Sequence, residues 1–438
     1  MRDDFAFKEI SIFLEERGRK DYAALSYPVR YGVSSRLIFK GYRFDCDLNG
    51  RVRYIYSEDH RLWPEPFARI KRLECNNWIF YHPSTYDDIY ALTGRYYLPI
   101  SSTDPSTPFT MEDPFNFPWI SMAITAWDEL TEYASKCIRH ADDGARDLLG
   151  AVARNGMDAL RERSKTFFEI LGGTVPVLPP ETMLVDYDVI PILISDGCLY
   201  RCAFCRFKTA KTYKIRKIED IKVQAKRLRD FYNRDIINYS SVFLGQNDAL
   251  LAGDLVIDAA EIVYKELNLA GTYHDATHIF LFGDVKAFLN ATNVFWRQID
   301  SLPYSHIHIN VGIESIDQET LDMIGKPIDT KDAMAAIETA AYINRTSRKI
   351  EIDLNFIFGD NLPPGHYEKM SRHLRNAHRK APKGTVYVSP LIGERHDPRR
   401  LRRAILELKA RADWPVFLYR PIGIEPAAPC KQRLLDVY

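Results

Sequence analysis

From residue 189 onward the chain alternates short apolar, β-rich runs with helical stretches, and that alternation leaves few folds open to it. The runs fall at residues 189–195, 241–245, 278–283, 306–313, 349–358 and 385–389, with helical periodicity at 218–231, 255–267, 330–343 and 367–379. Strands separated by helices imply parallel βα units, because a parallel neighbour needs a long crossover. The runs are apolar along their length, as strands covered on both faces should be. A further run, 415–419, follows a helical stretch at 399–410. An incomplete βα barrel fits this order better than an open sheet, and either architecture gathers its site where strands end and loops begin. The expected fold class is α/β, a partial (βα)6 barrel with an N-terminal α+β domain.

The first part of the chain has another rhythm. Residues 5–16 read as a short amphipathic helix. In FDCDLNGRVRYIY, Phe44, Cys46 and Leu48 alternate with polar residues, as do Val52 and Tyr54, so a β-hairpin is expected with Asn49-Gly50 as its two-residue turn. Residues 60–117 are aromatic and loop-rich, with Trp63, Trp78, Tyr96 and Tyr97 ahead of a Pro/Ser stretch at 101–114. Two or three helices follow over 121–171, ending at Gly172-Gly173. In TVPVLPP the prolines Pro176, Pro179 and Pro180 forbid regular structure and mark a boundary. The expected division is 1–175 as an N-terminal domain, 185–395 as the barrel and 396–438 as a C-terminal extension. The N-terminal aromatics at 78–81 and Tyr96-Tyr97 are expected either to build a core or to line a substrate pocket over one mouth of the barrel.

Composition excludes several classes. Of 438 residues, 46% are apolar and 27% charged, so the chain buries a core and is not a disordered polymer. The 59 basic and 59 acidic side chains cancel, giving no bulk attraction to nucleic acid or acidic membrane. MRDDFAFKEISIFLEERGRK is too charged for a signal peptide, and no apolar run approaches the ~18 residues that span a bilayer. Among seven cysteines, Cys46, Cys75, Cys137 and Cys430 are isolated, whereas Cys198, Cys202 and Cys205 fall together. A secreted disulfide framework would not be so uneven. A cytoplasmic protein with one cysteine-based site is expected.

That site lies in DVIPILISDGCLYRCAFCRFK, directly after the first β-run, in a C-x3-C-x2-C spacing. Three thiolates on one short loop suit an iron–sulfur cluster, whose irons are held by cysteine sulfur. Structural zinc normally takes four protein ligands, and no fourth Cys or His stands nearby, so zinc is the weaker alternative. A cubane with one iron left open can bind a substrate or cofactor there.

The loop resembles the signature of the radical S-adenosylmethionine superfamily, with aromatic Phe204 just before the last cysteine as part of the pattern. The resemblance covers about residues 185–395. It implies a [4Fe–4S] cluster on Cys198, Cys202 and Cys205, whose unique iron chelates the amino and carboxylate groups of S-adenosyl-L-methionine. The second strand ends in SVFLGQNDALL, similar to the glycine-rich segment that meets the methionine amino group. Gly245, Gln246, Asn247 and Asp248 stand where many members have Gly-Gly-Glu, closer to elongator-type and coproporphyrinogen-oxidase-type cores. A plain strand-to-helix turn is the alternative. The fourth strand ends in HINVGIESIDQETLDMIGKP, where Glu314 and Ser315 match a Gly-x-Glu-Ser motif of the same group. Glu314 is then expected to accept from ribose hydroxyls; otherwise it caps the helix starting near Asp317. In IDLNFIFGDN, Phe358-Gly359 is expected to bring backbone against the adenine, and Asn355 to face the barrel interior beside Asp353.

The resemblance implies reductive cleavage of S-adenosylmethionine to a 5′-deoxyadenosyl radical that abstracts hydrogen from a substrate the sequence does not identify. A one-electron reductant such as flavodoxin or ferredoxin is the implied partner. The basic stretch at 206–230 suits an acidic partner or, more plainly, a solvated helix face. Cys430, in EPAAPCKQ, is a minor candidate hydrogen donor. No second cysteine cluster and no D-x-H-x-x-G segment is present, which disfavours auxiliary-cluster and cobalamin-dependent members. The alternatives are a tRNA-modifying enzyme of the same superfamily, which the neutral charge does not favour, and a non-catalytic iron–sulfur protein for electron transfer or sensing.

Overall fold

A computed structural model describes residues 4–7, 9–21, 31–65, 68–81, 92, 114–185, 188–200, 202–205, 212–375, 383–391 and 398–419. Seven parallel strands stand side by side in chain order: Ile190–Ile192, Ser241–Leu244, His278–Gly283, His306–Glu314, Ile350–Phe358, Val386–Pro390 and Val416–Leu418. They are buried on both faces over most of their length, which is why their sequences lack an alternating polar side. All six expected strands are present. The seventh is the run at 415–419, so the sheet continues into the segment expected as a C-terminal extension. Helices Ile218–Tyr232, Leu255–Glu266, Thr330–Thr346 and Pro364–Leu374 lie where periodicity places them. Gln318–Met323 is the helix expected to start near Asp317, whereas Val285–Asn290 and Asn293–Ser301 were not expected, being too short for a helical period to show.

Among the described residues the first and last strands do not pair. Side chains at or just past the ends of all seven nevertheless line one cavity, so the sheet curves around it. The Tyr419 hydroxyl donates to the Leu178 carbonyl, joining the end of the seventh strand to the segment that precedes the first. That Pro-rich segment is part of the barrel as well as a boundary. Pro180–Val185 forms a 3-10 turn in which Glu181, Thr182 and Met183 are buried.

The N-terminal half is a seven-stranded antiparallel meander, Asp4–Phe7 to Trp78–Tyr81, covered by helices Pro118–Cys137, Asp143–Ala153 and Met157–Leu171. The helix expected over 5–16 is instead two strands, Asp4–Phe7 and Ile10–Arg17. The β-branched Ile10 and Ile12 are buried while Ser11 and Phe13 are half-buried, so a period of two decides, and pairing with both neighbours completes the ladder. The hairpin forms between Tyr42–Cys46 and Val52–Ser57, but its turn is longer than the expected two residues. Asp47 accepts from the Asn49 and Arg51 amides, both at 2.8 Å, and only Gly50 takes positive φ, +73°. A Cβ on Gly50 would lie 2.8 Å from the Val152 amide nitrogen. Gly50→Ala is therefore expected to cost at least about 2 kcal/mol in thermal unfolding; an unchanged melting temperature would refute this close packing.

This half docks on the barrel beside the N-terminal ends of its first strands. Buried Lys71 and half-buried Arg53 both reach Asp188, with Lys71 Nζ at 2.8 Å. Asn238 exchanges two 2.8 Å hydrogen bonds with Val33, and the His274 ring bridges the Lys20 and Asn238 carbonyls. The cysteine loop leaves the opposite end of the first strand. Strand Trp78–Tyr81 is buried on both faces: Trp78 and Phe80 join the N-terminal core, and Ile79 and Tyr81 join the barrel core. Among the described residues, none before Val177 lines the cavity that holds the cysteines. Tyr96 and Tyr97 lie outside the described residues.

Candidate active site

The cysteine loop is braced from three sides. Ser195–Asp196 pairs antiparallel with Lys214–Ile215, closing the loop at its base, and Arg216 locks that base by a bidentate pair to Asp196. The end of the second strand grips the loop's first turn: Gly197 donates to Gln246 Oε1 at 2.8 Å and accepts from Asn247 Nδ2 at 3.0 Å. Ala203 donates to the Ile324 carbonyl at 2.7 Å, pinning the loop against the helix after the fourth strand. So fixed, Cys198, Cys202, Phe204 and Cys205 line a cavity of about 210 Å³ at the C-terminal ends of the strands. Cys202 is buried and its two fellows half-buried, and none is in a disulfide. Burial pushes the Cys198 and Cys202 thiols up, while the Lys326 ammonium opposes this at Cys202.

Glu314 enters the same cavity from the end of the fourth strand. It takes a left-handed backbone, φ +66°, at a register shift opposite the fifth strand, a conformation that only surrounding structure holds in place. A Cβ on Gly312 would lie 2.7 Å from Glu314 Oε1, so the glycine leaves room for this carboxylate. Burial raises the Glu314 pKa; Lys326 and the Asn355 amide, 3.3 Å from Oε2, work against that rise. Asn355 in turn accepts from Ser389 Oγ at 2.9 Å, so one polar chain crosses the fourth, fifth and sixth strands. The cap of helix Gln318–Met323 is Asp317, not Glu314.

Lys326, Asp284 and Tyr200 are among the further polar groups that face the cavity without having been picked out from the sequence. Lys326 has only 9% of its side chain exposed, with Nζ 3.9 Å from Asp284 Oδ2. Burial works to discharge it, but the charges of Glu314, Asp284, Cys202 and Asp248 prevail and raise its pKa. Asp248 is pushed up to about 7 by burial and by Asp284. The Tyr200 hydroxyl is pushed up to about 12, by burial and by the same Asp284. No N–H or O–H of the described residues reaches Asp248 Oδ2 or Asp284 Oδ2. Position was the available signal, since Asp284 directly follows the third strand and Lys326 lies in the IGKP segment after the fourth.

Of the residues named from the sequence, the three cysteines, Phe204, Asn247, Asp248, Glu314 and Asn355 line this cavity. Gly245, Gln246, Ser315, Phe358 and Gly359 do not. Gly245 turns the chain with φ +126°, and Gln246 ties the cysteine loop to the Thr174 carbonyl. Ser315 bonds His366 Nδ1 at 2.8 Å, and both backbone groups of Gly359 meet the Tyr367 hydroxyl. Phe358 lines a separate hollow between helices Pro364–Leu374 and Pro398–Arg411. Cys430 lies outside the described residues. Of the basic stretch, Lys214, Lys217, Lys222, Lys226 and Arg227 are exposed, whereas Arg216 is committed to Asp196.

Among the described residues no three His, Cys, Asp or Glu side chains converge where one metal ion would be held. A cubane asks for something else, because each thiolate binds a different iron and the three need only surround the cluster. Three thiols on one braced loop, facing a shared cavity with a buried ammonium nearby, fit such a group.

No curated protein matches this chain. Solved structures similar to it include a radical SAM methyltransferase from Sphaerobacter thermophilus, 16% identical over 56% of this chain and 69% of that one, TM-score 0.37. Others are archaeal Elp3 from Methanocaldococcus infernus, 12% identical over 45% and 52%, TM-score 0.30, and methylornithine synthase (PylB), 13% identical over 69% and 88%, TM-score 0.32. No described helix is long and apolar enough to cross a membrane. The family model of the Radical SAM superfamily matches residues 192–354, from the end of the first strand into the fifth, so this part of the chain carries a radical SAM domain.

Proposed function

We propose that the chain cleaves S-adenosylmethionine reductively at a [4Fe–4S] cluster and uses the product radical to take hydrogen from a substrate within the curved sheet. The observation that carries this is the meeting of Cys198, Cys202 and Cys205 with Glu314, Asn355 and Lys326 in one cavity. When bound, the cluster supplies one electron and S-adenosylmethionine the carbon radical; the protein supplies position and dryness. Lys326 suits the carboxylate of the methionine moiety, and the oxygens of Asp248 and Asp284 that accept no hydrogen bond from the described residues suit its ammonium group. Glu314, held by Asn355, suits the ribose hydroxyls. Val177 and Tyr419 close the wall between the first and seventh strands.

The exposed lysines from Lys214 to Lys226 flank the cysteine loop and offer an acidic one-electron reductant, flavodoxin or ferredoxin, a docking face. A reducing, cytoplasmic setting suits three thiols that form no disulfide. The deciding experiment is anaerobic reconstitution followed by reduction with S-adenosylmethionine present. Formation of 5′-deoxyadenosine supports the assignment; a protein that takes up iron but neither binds nor cleaves S-adenosylmethionine is an electron-transfer or sensing module.

Glu314 gives a narrower test. Glu314→Gln removes a charge-assisted hydrogen bond worth roughly 1.5–3 kcal/mol, so affinity for S-adenosylmethionine should fall about tenfold or more with iron content unchanged. An unaltered calorimetric titration would remove Glu314 from the cofactor site.

A further inference from the structure

Beneath the cavity lies a second polar group that none of the cofactor contacts uses. Along the fourth strand Asn310, Gly312 and Glu314 alternate onto the inner face, and along the fifth Glu351, Asp353 and Asn355 do the same. Asn310 lines the cavity as its floor and stands in register with Asp353. Its Nδ2 donates to Glu181 Oε1 at 2.9 Å, Glu181 being carried by the 3-10 turn ahead of the first strand. Asp353 Oδ1 accepts from the Thr385 amide at 2.6 Å. The remaining oxygens, Glu181 Oε2 and Asp353 Oδ2, accept from no N–H or O–H of the described residues, and both residues are only 1% exposed.

Two ionised carboxylates cannot both stay charged in so dry a place, so the pair retains a proton. Burial is the main cause; it pushes Glu181 up to about 7, and Asp353 is raised further by Glu181 and Glu351. The other charged groups nearby are Glu351, which accepts from the Gly384 amide at 3.0 Å, and Lys383 and His306 toward the strands' N-terminal ends. The pair is therefore protonated below neutral pH and loses its proton as pH rises through the raised values.

We propose that Glu181 and Asp353 share one proton beneath the cavity floor and exchange it, past Asn310, with a hydroxyl, amine or carboxyl group seated in the cavity, serving as the enzyme's internal acid–base group. Whichever of the two holds the proton, it leaves through the Glu181 carboxyl to a ligand atom or water that displaces the Asn310 amide from Glu181. One O–H bond of the pair breaks, one O–H or N–H bond forms on the acceptor, and the pair gains a negative charge. No electron moves. The mutual repulsion of the two carboxylates then draws the proton back. The assignment rests on the proposed function only in taking the cavity as the seat of the substrate.

The test is infrared difference spectroscopy of the reconstituted full-length protein at pH 6.5, transferred from H2O to D2O without S-adenosylmethionine. A C=O band of a protonated carboxyl should shift with the solvent and be missing from both Glu181→Gln and Asp353→Asn, while bands of other buried acids such as Asp235 remain. Asn310→Leu should slow its exchange by at least about tenfold by sealing the floor, whereas Lys383→Met, at the other end of the strand, should not. If no wild-type band is lost in either variant, or if Lys383→Met slows exchange and Asn310→Leu does not, the assignment falls. Because neither band nor exchange depends on cofactor cleavage, failure here leaves the radical chemistry untouched, and absence of 5′-deoxyadenosine leaves this result standing.

Discussion

Cys202→Ala is expected to reduce both cluster-dependent absorbance and 5′-deoxyadenosine formation to background, a loss on the order of 10³-fold or more in rate. Cys202 is the buried member of the three, and the neighbouring Ala203 amide is tied to Ile324, so no other thiol among the described residues stands ready to take its place. The same substitution removes a side chain no larger than a small apolar residue and should leave the unfolding free energy of the iron-free protein within about 1 kcal/mol of wild type. Iron analysis, visible absorbance and a single-turnover assay separate the outcomes. Four irons and full cleavage in Cys202→Ala would overturn the ligand assignment.

Lys326→Met should be the most damaging change outside the cysteines. Lys326 is the ammonium that Glu314, Asp284 and Asp248 face in a buried setting. Removing one partner from such a group costs roughly 3–5 kcal/mol, because the remaining carboxylates must protonate or stay uncompensated. Unfolding should therefore occur at lower temperature, most of all at alkaline pH, where the carboxylates cannot take up protons. Affinity for S-adenosylmethionine should fall by at least about tenfold through loss of the contact to its carboxylate. Lys326→Arg keeps the charge and should recover much of the stability. Full cofactor affinity in Lys326→Met would show that the ammonium serves the carboxylates alone.

Where sequence and structure part company, the causes are physical. The helix expected over 5–16 failed because LEER at its end imitates a solvated helical face, while Ile10 and Ile12 follow the period of the sheet beside them. The turn at Asn49-Gly50 was lengthened by the Asp47 side chain, whose hydrogen bonds to the backbone compete with a tight hairpin. Gln246 belongs to a motif that resembles a cofactor-binding segment, yet its amide is spent on Gly197 and Thr174. A motif names positions along the chain; which way each side chain turns depends on what packs against it.

The parallel βα order, the three-cysteine loop after the first strand and the placing of Glu314 and Asn355 at strand ends were determined by the sequence itself. Each is a local pattern, a period or a spacing, that needs no knowledge of distant partners. Only the tertiary structure decided that Lys326 and Asp284, more than 40 residues apart, would flank the cysteines, and that Glu181 would meet Asp353 under Asn310. It also decided that the N-terminal aromatics Trp78 to Tyr81 fill two cores instead of a pocket. Those outcomes depend on how the sheet curves and which surfaces it brings together, and burial, which sets both the charge of an acid and the use of an aromatic ring, exists only once the chain has closed around them.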